Sequence, residues 1–347
     1  MKGEWRPMEK QKISLENGKG TNVQKTRKVV TIILSVSLLI ILAGVIIYQL
    51  LLSQTEEDIY FTSYNRDEKL STLYCYDASQ NQVIRVGEVE GEVRKGIVDD
   101  ENKNFVYWAR LNDNNYKLEI YDMENGRTEV LFLKGDIVNE IGMQLENIVF
   151  NKTIKGCMYL ICSVEGENET CYYLVKYIPE TGEMNVLREL ITSEAWIARE
   201  EMVYYFNDTL RREHNQYHYA GPLCEYNSIT NEESSIINTA GWDISIDGKQ
   251  LIMCEKEENR ERYYIYDLNT GETIDIASLS GVSYYIFSYK QIRFIGDSDN
   301  CVCVRSMRTI FDSYVDSSIW IKEPGHLPRK IFSFGIFSPS EDITILY

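Results

Sequence analysis

The sequence predicts an all-β domain, a β-propeller of four-stranded antiparallel blades, behind a single membrane-spanning helix. Three observations lead there. One charge-free apolar run extends from Val29 to Leu52; a short strand-and-hairpin unit recurs through the residues that follow; and after the run there is no long stretch with the 3.6-residue apolar period of a helix. At 44% hydrophobic, 12% aromatic and 26% charged, the 347-residue chain is too apolar for a disordered scaffold, and one apolar run is too few for a polytopic transporter.

The apolar run exceeds the roughly 20 residues with which an α-helix crosses about 30 Å of hydrocarbon. A signal peptide has an apolar core of about 7–15 residues and ends in a small-residue cleavage site. The stretch from Tyr48 to Ser53 offers no such site. Three regions result: a basic tail over 1–28, expected to be disordered; a transmembrane helix over 29–52; and a folded domain over 53–347. The tail sets eight basic residues, ending in Arg27 and Lys28, against Glu4, Glu9 and Glu16, a net +5. The positive-inside tendency therefore puts the N-terminus in the cytoplasm and the domain outside. With −17 on the whole chain and +5 on the tail, the domain carries −22. A surface this acidic has no footprint for nucleic acid, and its charge favours solubility. The wealth of Asn, Ile, Lys and Tyr beside only 6 prolines is of the kind found in low-GC bacteria.

The repeat is clearest at 71–86, 117–133, 173–187 and 263–276, with weaker copies at 223–237 and 318–332. Each is a strand ending in Tyr-Asp or a variant, a polar turn, and a second strand. The anchors Tyr76, Tyr121, Tyr177, Tyr226, Tyr266 and Ile321 lie 45, 56, 49, 40 and 55 residues apart. Alternation of β-branched or aromatic residues with polar ones, closed by Asn, Gly, Thr or Pro, is the signature of a hairpin with one buried face. Between the copies lie further strand pairs, among them FVYWAR at 105–110, MYLICS at 158–163, and YYIFSY at 284–289 with CVCVRS at 301–306. Hairpin plus pair makes four strands, and six such units of about 40–50 residues make a propeller. Residues 58–63 start on a second-type strand and the chain ends on first-type strands in FGIFSPSEDITILY, so the two ends should complete one blade and leave no open edge. Seven blades is the alternative count, because ITILY and IYFTSY compete for the same place.

The segment WDISIDGKQLIMCE at 242–255, followed by YYIYDLNTGETIDI at 263–276, resembles a blade of the TolB-like and WD40-like propellers. Their pattern is strand, Ser-Pro-Asp-Gly-Lys, strand, and a Tyr-x-x-Asp hairpin. Ser245 to Lys249 match all but the proline, Asp99 to Lys103 form a degenerate copy, and Ser338 to Asp342 keep the first part. The resemblance covers most of 55–347 and implies a fold rather than an activity.

Candidate chemistry is sparse. His214 and His218 stand four apart, a spacing that suits a metal on a helix, but neither a helix nor a third ligand accompanies them. With Arg211 and Tyr217 they read better as a long contact loop. Trp196, Trp242, Tyr284 and Tyr285 fall on or near inner strands, where aromatic rings either grip a ligand at the channel mouth or pack blade against blade. Cys162 and Cys171 flank one hairpin and are the pair placed to form a disulfide; most of the 8 cysteines lie in apolar strands, as small hydrophobes do. There is no Gly-x-Ser-x-Gly elbow, and at this charge Asp297 and Asp299 read as a solvated turn. No metal, cofactor or nucleic-acid partner is expected. The first functional expectation is a binding or sensing module for a peptide, glycan or envelope protein; the alternatives are a glycan-active envelope hydrolase or lyase using channel carboxylates, and a structural subunit of an envelope complex.

Overall fold

The computed structural model describes residues 19–52, 55–99, 102–112, 115–135, 137–138, 142–149, 158–165, 170–178, 181–190, 196–199, 202–206, 220–227, 230, 232–244, 248–257, 260–280, 282–296, 298–308, 314–333 and 341–346. Two compact units result, Met1–Leu52 and Ser53–Tyr347. The first contains helix α1 (Lys19–Leu51), within which Val29–Gln49 is long and apolar enough to cross a membrane. The helix starts ahead of the apolar run, so Lys19, Lys25, Arg27 and Lys28 are helical, whereas the tail was expected to be disordered throughout.

The second unit is a six-bladed propeller of four-stranded antiparallel blades. Blade 1 holds β1 (Ile59–Asn65), β2 (Leu70–Asp77) and β3 (Gln82–Glu90), and blade 2 holds β4 (Glu92–Asp99), β5 (Asn104–Asn112), β6 (Asn115–Asp122) and β7 (Arg127–Leu133). Blade 3 comprises β8 (Ile137–Val138), β9 (Met143–Val149), β10 (Met158–Glu165), β11 (Thr170–Ile178) and β12 (Glu183–Leu190), with the short β8 as a fifth strand on the channel side. Blades 4 and 5 share a strand. β13 (Trp196–Arg199), β14 (Met202–Phe206) and β15 (Ala220–Asn227) lead to β16 (Glu233–Ile244), which ends blade 4 and runs unbroken into the inner position of blade 5, ahead of β17 (Gln250–Glu257), β18 (Arg260–Asp267) and β19 (Thr273–Ser280). A short helix, α2 (Val282–Ile286), precedes blade 6: β20 (Phe287–Phe294), β21 (Cys301–Arg308), β22 (Tyr314–Lys322) and β23 (Arg329–Ser333). Last, β24 (Glu341–Ile345) pairs with β1, Phe61 opposite Ile345 and Asn65 opposite Glu341, and becomes the inner strand of blade 1. Both chain ends thus fill one blade, and the count is six, not seven. The FGIF stretch at 334–337 lies outside the described residues.

The core lies between blades rather than within them. Six apolar clusters correspond to the six interfaces of a closed ring. Leu73 and Val89 of blade 1 meet Phe105, Tyr107 and Tyr121 of blade 2; at the closing seam Ile59, Phe61 and Ile345 of blade 1 meet Val302, Val304 and Ile319 of blade 6. Burying each such side chain contributes about 1.5–3 kcal/mol. Burial falls from the middle of each blade outward: β5 is buried over most of its length, while β7 at the rim is mostly exposed.

The repeat has a physical cause. Its tyrosine reaches back to the outer strand of the preceding blade. Tyr121 lies against Gly87 of β3, where any Cβ would overlap the ring; Tyr177 meets Phe132 of β7 edge-on with ring centroids 5.2 Å apart; Tyr226 donates to the Leu187 carbonyl of β12 at 3.5 Å, with the Arg188 guanidinium 4.5 Å from its ring centre; and Tyr266 packs against the cluster that holds Tyr204 and Leu223 of blade 4. Tyr76 accepts from Arg329 of β23 at 2.8 Å across the seam. Ile321 breaks the pattern. It faces the next blade, with Ile59 and Tyr76, while its neighbour Trp320 faces the preceding one. The sixth anchor is therefore out of step by one residue, and one residue on a strand exchanges the faces.

The aspartate that follows the tyrosine caps the turn. Asp122 accepts from the backbone N–H of Glu124 and of Asn125, both at 2.9 Å; Asp267 does so from Asn269 and Thr270 at 2.8 and 2.7 Å; and Asp77 does so from Gln80 at 2.9 Å. The turns then pass through left-handed backbone at Gly126, Gly182 and Gly271, with φ of 63°, 70° and 73°, where glycine adds no steric cost.

Candidate functional site at the loop face

Antiparallel alternation sorts the connections onto two faces. The Tyr-Asp turns and the turns between first and second strands emerge on one, the hairpin face. Connections between second and third strands, and those passing to the next blade, emerge on the other, the loop face. The chain enters on the hairpin face, since Ile59 lies opposite Tyr76 beside the Asp77 turn.

The aromatic positions singled out in the sequence each fall where the backbone reaches the loop face, in blades 4, 5 and 6. Trp196 is the first residue of β13, away from the turn that joins Arg199 to Met202. Trp242 sits at the irregularity between Gly241 and Asp243, at the start of blade 5's inner strand. Tyr284 and Tyr285 belong to α2, directly ahead of blade 6's inner strand. They were expected to open a strand; instead the strand starts at Phe287, because a Ser283 hydroxyl donating to the Ser280 carbonyl at 2.7 Å turns the connection into a helical turn. Tyr285 is 61% exposed, with Ile286 at its side 36% exposed. β14 ends at Phe206 and β15 begins at Ala220 on the same face; Arg211, His214, Tyr217 and His218, between them in sequence, lie outside the described residues.

A polar network also sits towards this face in blade 2, and no sequence signal marked it. Glu92, 3% exposed, accepts from Arg110 Nε at 2.9 Å and Nη2 at 2.5 Å, and from Arg94 at 2.9 Å. Nearby, Lys117 lies 2.9 Å from Glu119, which also accepts from the Tyr107 hydroxyl at 2.5 Å. Burial, and then the bond to Glu119, push the Tyr107 phenol far above its ordinary range, so it stays protonated and serves as a donor. Buried charges so thoroughly paired act as a fixed structural joint rather than as acid–base catalysts.

The channel wall is stitched by side chains of the inner strands. The Gln291 amide of β20 donates to the Ile343 carbonyl at 3.0 Å and accepts from the Ile345 N–H at 2.8 Å, completing the free edge of β24. On its other side, Thr344 donates to the Val93 carbonyl of β4 at 2.9 Å. Between blades 2 and 3, Lys95 reaches Asn147 at 3.4 Å.

Cys162 and Cys171 are thiols, not a disulfide. The register sets Cys162 opposite Tyr173 and Cys171 opposite Val164, two residues out of line. Burial raises the Cys162 thiol to about 12, as expected of an unreactive core residue. Asp299 accepts from Gln250 of blade 5 at 2.7 Å and braces neighbouring turns; Asp297 lies outside the described residues. Among the described residues, no three His, Cys, Asp or Glu side chains group as a metal site would require.

No family profile and no curated relative matches the chain. Its structural neighbours are TolB-like β-propellers. TolB from Acinetobacter baumannii superposes with a TM-score of 0.52 at 13% identity, over 80% of this chain and 66% of that one, so the chain spans just under two thirds of that protein. A putative TolB from Agrobacterium tumefaciens gives 0.50 at 10% identity, over 83% and 98%. A chain of a nidogen/laminin complex gives 0.50 at 8% identity, over 83% and 98%. At these identities the likeness is one of fold.

Proposed function

We propose that the protein is a single-pass membrane protein whose propeller works outside the cytoplasm as a binding or sensing module, taking a peptide or envelope protein on its loop face. The reading is supported by the placement of positions 196, 242, 284 and 285 at loop-face ends of the backbone in three adjacent blades, with the Tyr285 ring solvent-exposed beside Ile286. An exposed aromatic beside an exposed aliphatic at a channel mouth is the kind of anchor that protein contacts use. The nidogen/laminin structure, a complex by its description, supports a propeller as a protein-binding surface. The contrast between +5 before the apolar run and −22 after it supports the orientation.

A photocrosslinking residue placed at Tyr285 of the full-length protein in living cells is expected to capture a discrete partner that the same residue at Asn269, on the hairpin face, does not. Equal capture at both positions, or a glycan alone retained on the loop face, overturns the protein-binding reading. Protease added to intact spheroplasts should digest the propeller; protection of residues 53–347 overturns the orientation.

A further inference from the structure

From the residues that lead into the propeller we infer that Thr55–Asp58 is a strap fastening the seam between blades 6 and 1, so that ring closure depends on the stretch that follows α1. Strands from the two ends of the chain meet within blade 1, and its seam with blade 6 is held at the channel by Gln291 and at the rim by Arg329. The strap adds a third hold, on the hairpin face. Asp58 accepts from the Ala78 N–H at 2.8 Å, in the turn after β2 of blade 1. Glu57 crosses to blade 6, its carboxylate pressed against Gly296 in the turn between β20 and β21. The approach is so close that a Cβ at position 296 would overlap both carboxylate oxygens. Gly296 is left-handed, with φ 53°, the backbone region that favours glycine. The strap is pre-shaped: the Thr55 hydroxyl accepts from the Glu57 N–H at 3.1 Å and donates to the Glu57 carbonyl at 3.3 Å.

One residue of the strap therefore touches each of the two blades, beside the β1–β24 pairing that alone joins the two chain ends. A propeller closed by a terminal strand opens first where that strand can leave, because sub-global opening follows the least supported unit. Holding blade 6 to blade 1 from the outside lowers the population of that opening without adding to either blade's own packing. This holds whatever the loop face binds.

The test is hydrogen exchange on the full-length protein in nanodiscs. Glu57→Ala, a change at an exposed side chain, is expected to speed exchange in Glu341–Ile345 and Ile59–Asn65 by about tenfold, with β5 and β6 unchanged. Gly296→Ala should speed the same segments, and adding Glu57→Ala to it should bring little more, since the contact is already lost. Unchanged exchange in β24 for Glu57→Ala, a uniform rise over all blades, or independent multiplying effects in the double variant overturns the proposal.

Discussion

The hairpin face and the loop face are built from the same strands yet obey different rules. On the hairpin face one device recurs from blade to blade: a tyrosine set against the preceding blade and, in three of the turns, an aspartate whose carboxylate caps the backbone. On the loop face the connections differ in kind: Glu90, Gly91 and Glu92 link blades 1 and 2 directly, α2 precedes blade 6, the short β8 precedes blade 3, and β16 passes between blades without any loop. Packing between blades is a repeated geometric problem and selects a repeated solution. The connections of the loop face meet no such repeated demand, and there variation is tolerated.

The largest effect expected from breaking this contrast is on the hairpin side. Tyr121→Ala removes a ring seated on Gly87 in the cluster with Leu73, Val89 and Phe105, and should cost about 3–5 kcal/mol in denaturant unfolding of the full chain. A loss below about 1 kcal/mol, the level typical of an ordinary substitution, would mean the repeated tyrosine is not what joins the blades.

Gln291→Ala comes next. It removes the amide that completes the free edge of β24, leaving a backbone N–H and a carbonyl without their partner, at a cost of about 1–3 kcal/mol. Exchange of the Ile345 amide should rise before that of Leu118 in the body of blade 2; equal rises would show that the ring opens as a whole and has no weakest seam.

A smaller effect, with a pH signature, is expected at the caps. Hydrogen bonds from the Asn125 side chain and then from backbone N–H groups hold the Asp122 carboxyl below its ordinary range, and bonds from Ser79 and Gln80 do the same for Asp77. A carboxyl lowered in the folded state stabilises it above the unfolded value, near pH 4, and that contribution fades as pH falls through the lowered folded value. Asp122→Asn preserves an acceptor for the turn but cannot titrate, so its stability should match the parent's more closely at pH 3 than at pH 7. Parallel curves of midpoint against pH for the two proteins would remove the cap from the account.

What could be read from residues follows the same division. The six blades, their hairpins and the closure by both ends were legible because a period-2 pattern and a turn signal had to recur wherever a blade packs on the last. The sixth anchor was misplaced because the turn after β22, with Pro324 and Gly325, lacks the Asp-x-x-x-Gly spacing that fixes register at Asp122–Gly126 and Asp267–Gly271. The Glu92 and Lys117 network was invisible because its members come from three different strands, and a −22 domain offers too many acidic residues for any one to stand out. The α2 turn was hidden by composition: Val-Ser-Tyr-Tyr-Ile reads as strand, and only the Ser283 bond across the connection makes it helical.

The smallest effect on stability is the one that sharpens the contrast most. Tyr285→Ala trims a ring that is 61% exposed, so unfolding should shift by no more than about 0.5 kcal/mol. The same variant should lose partner capture at the loop face. Tyr121→Ala and Tyr285→Ala remove the same side chain, so any difference between them belongs to place. A Tyr285→Ala protein as destabilised as the Tyr121 variant would make the loop face another packing surface and leave the binding reading without its anchor; stability retained with capture lost would assign the two tyrosines to the two separate tasks of holding the ring and using it.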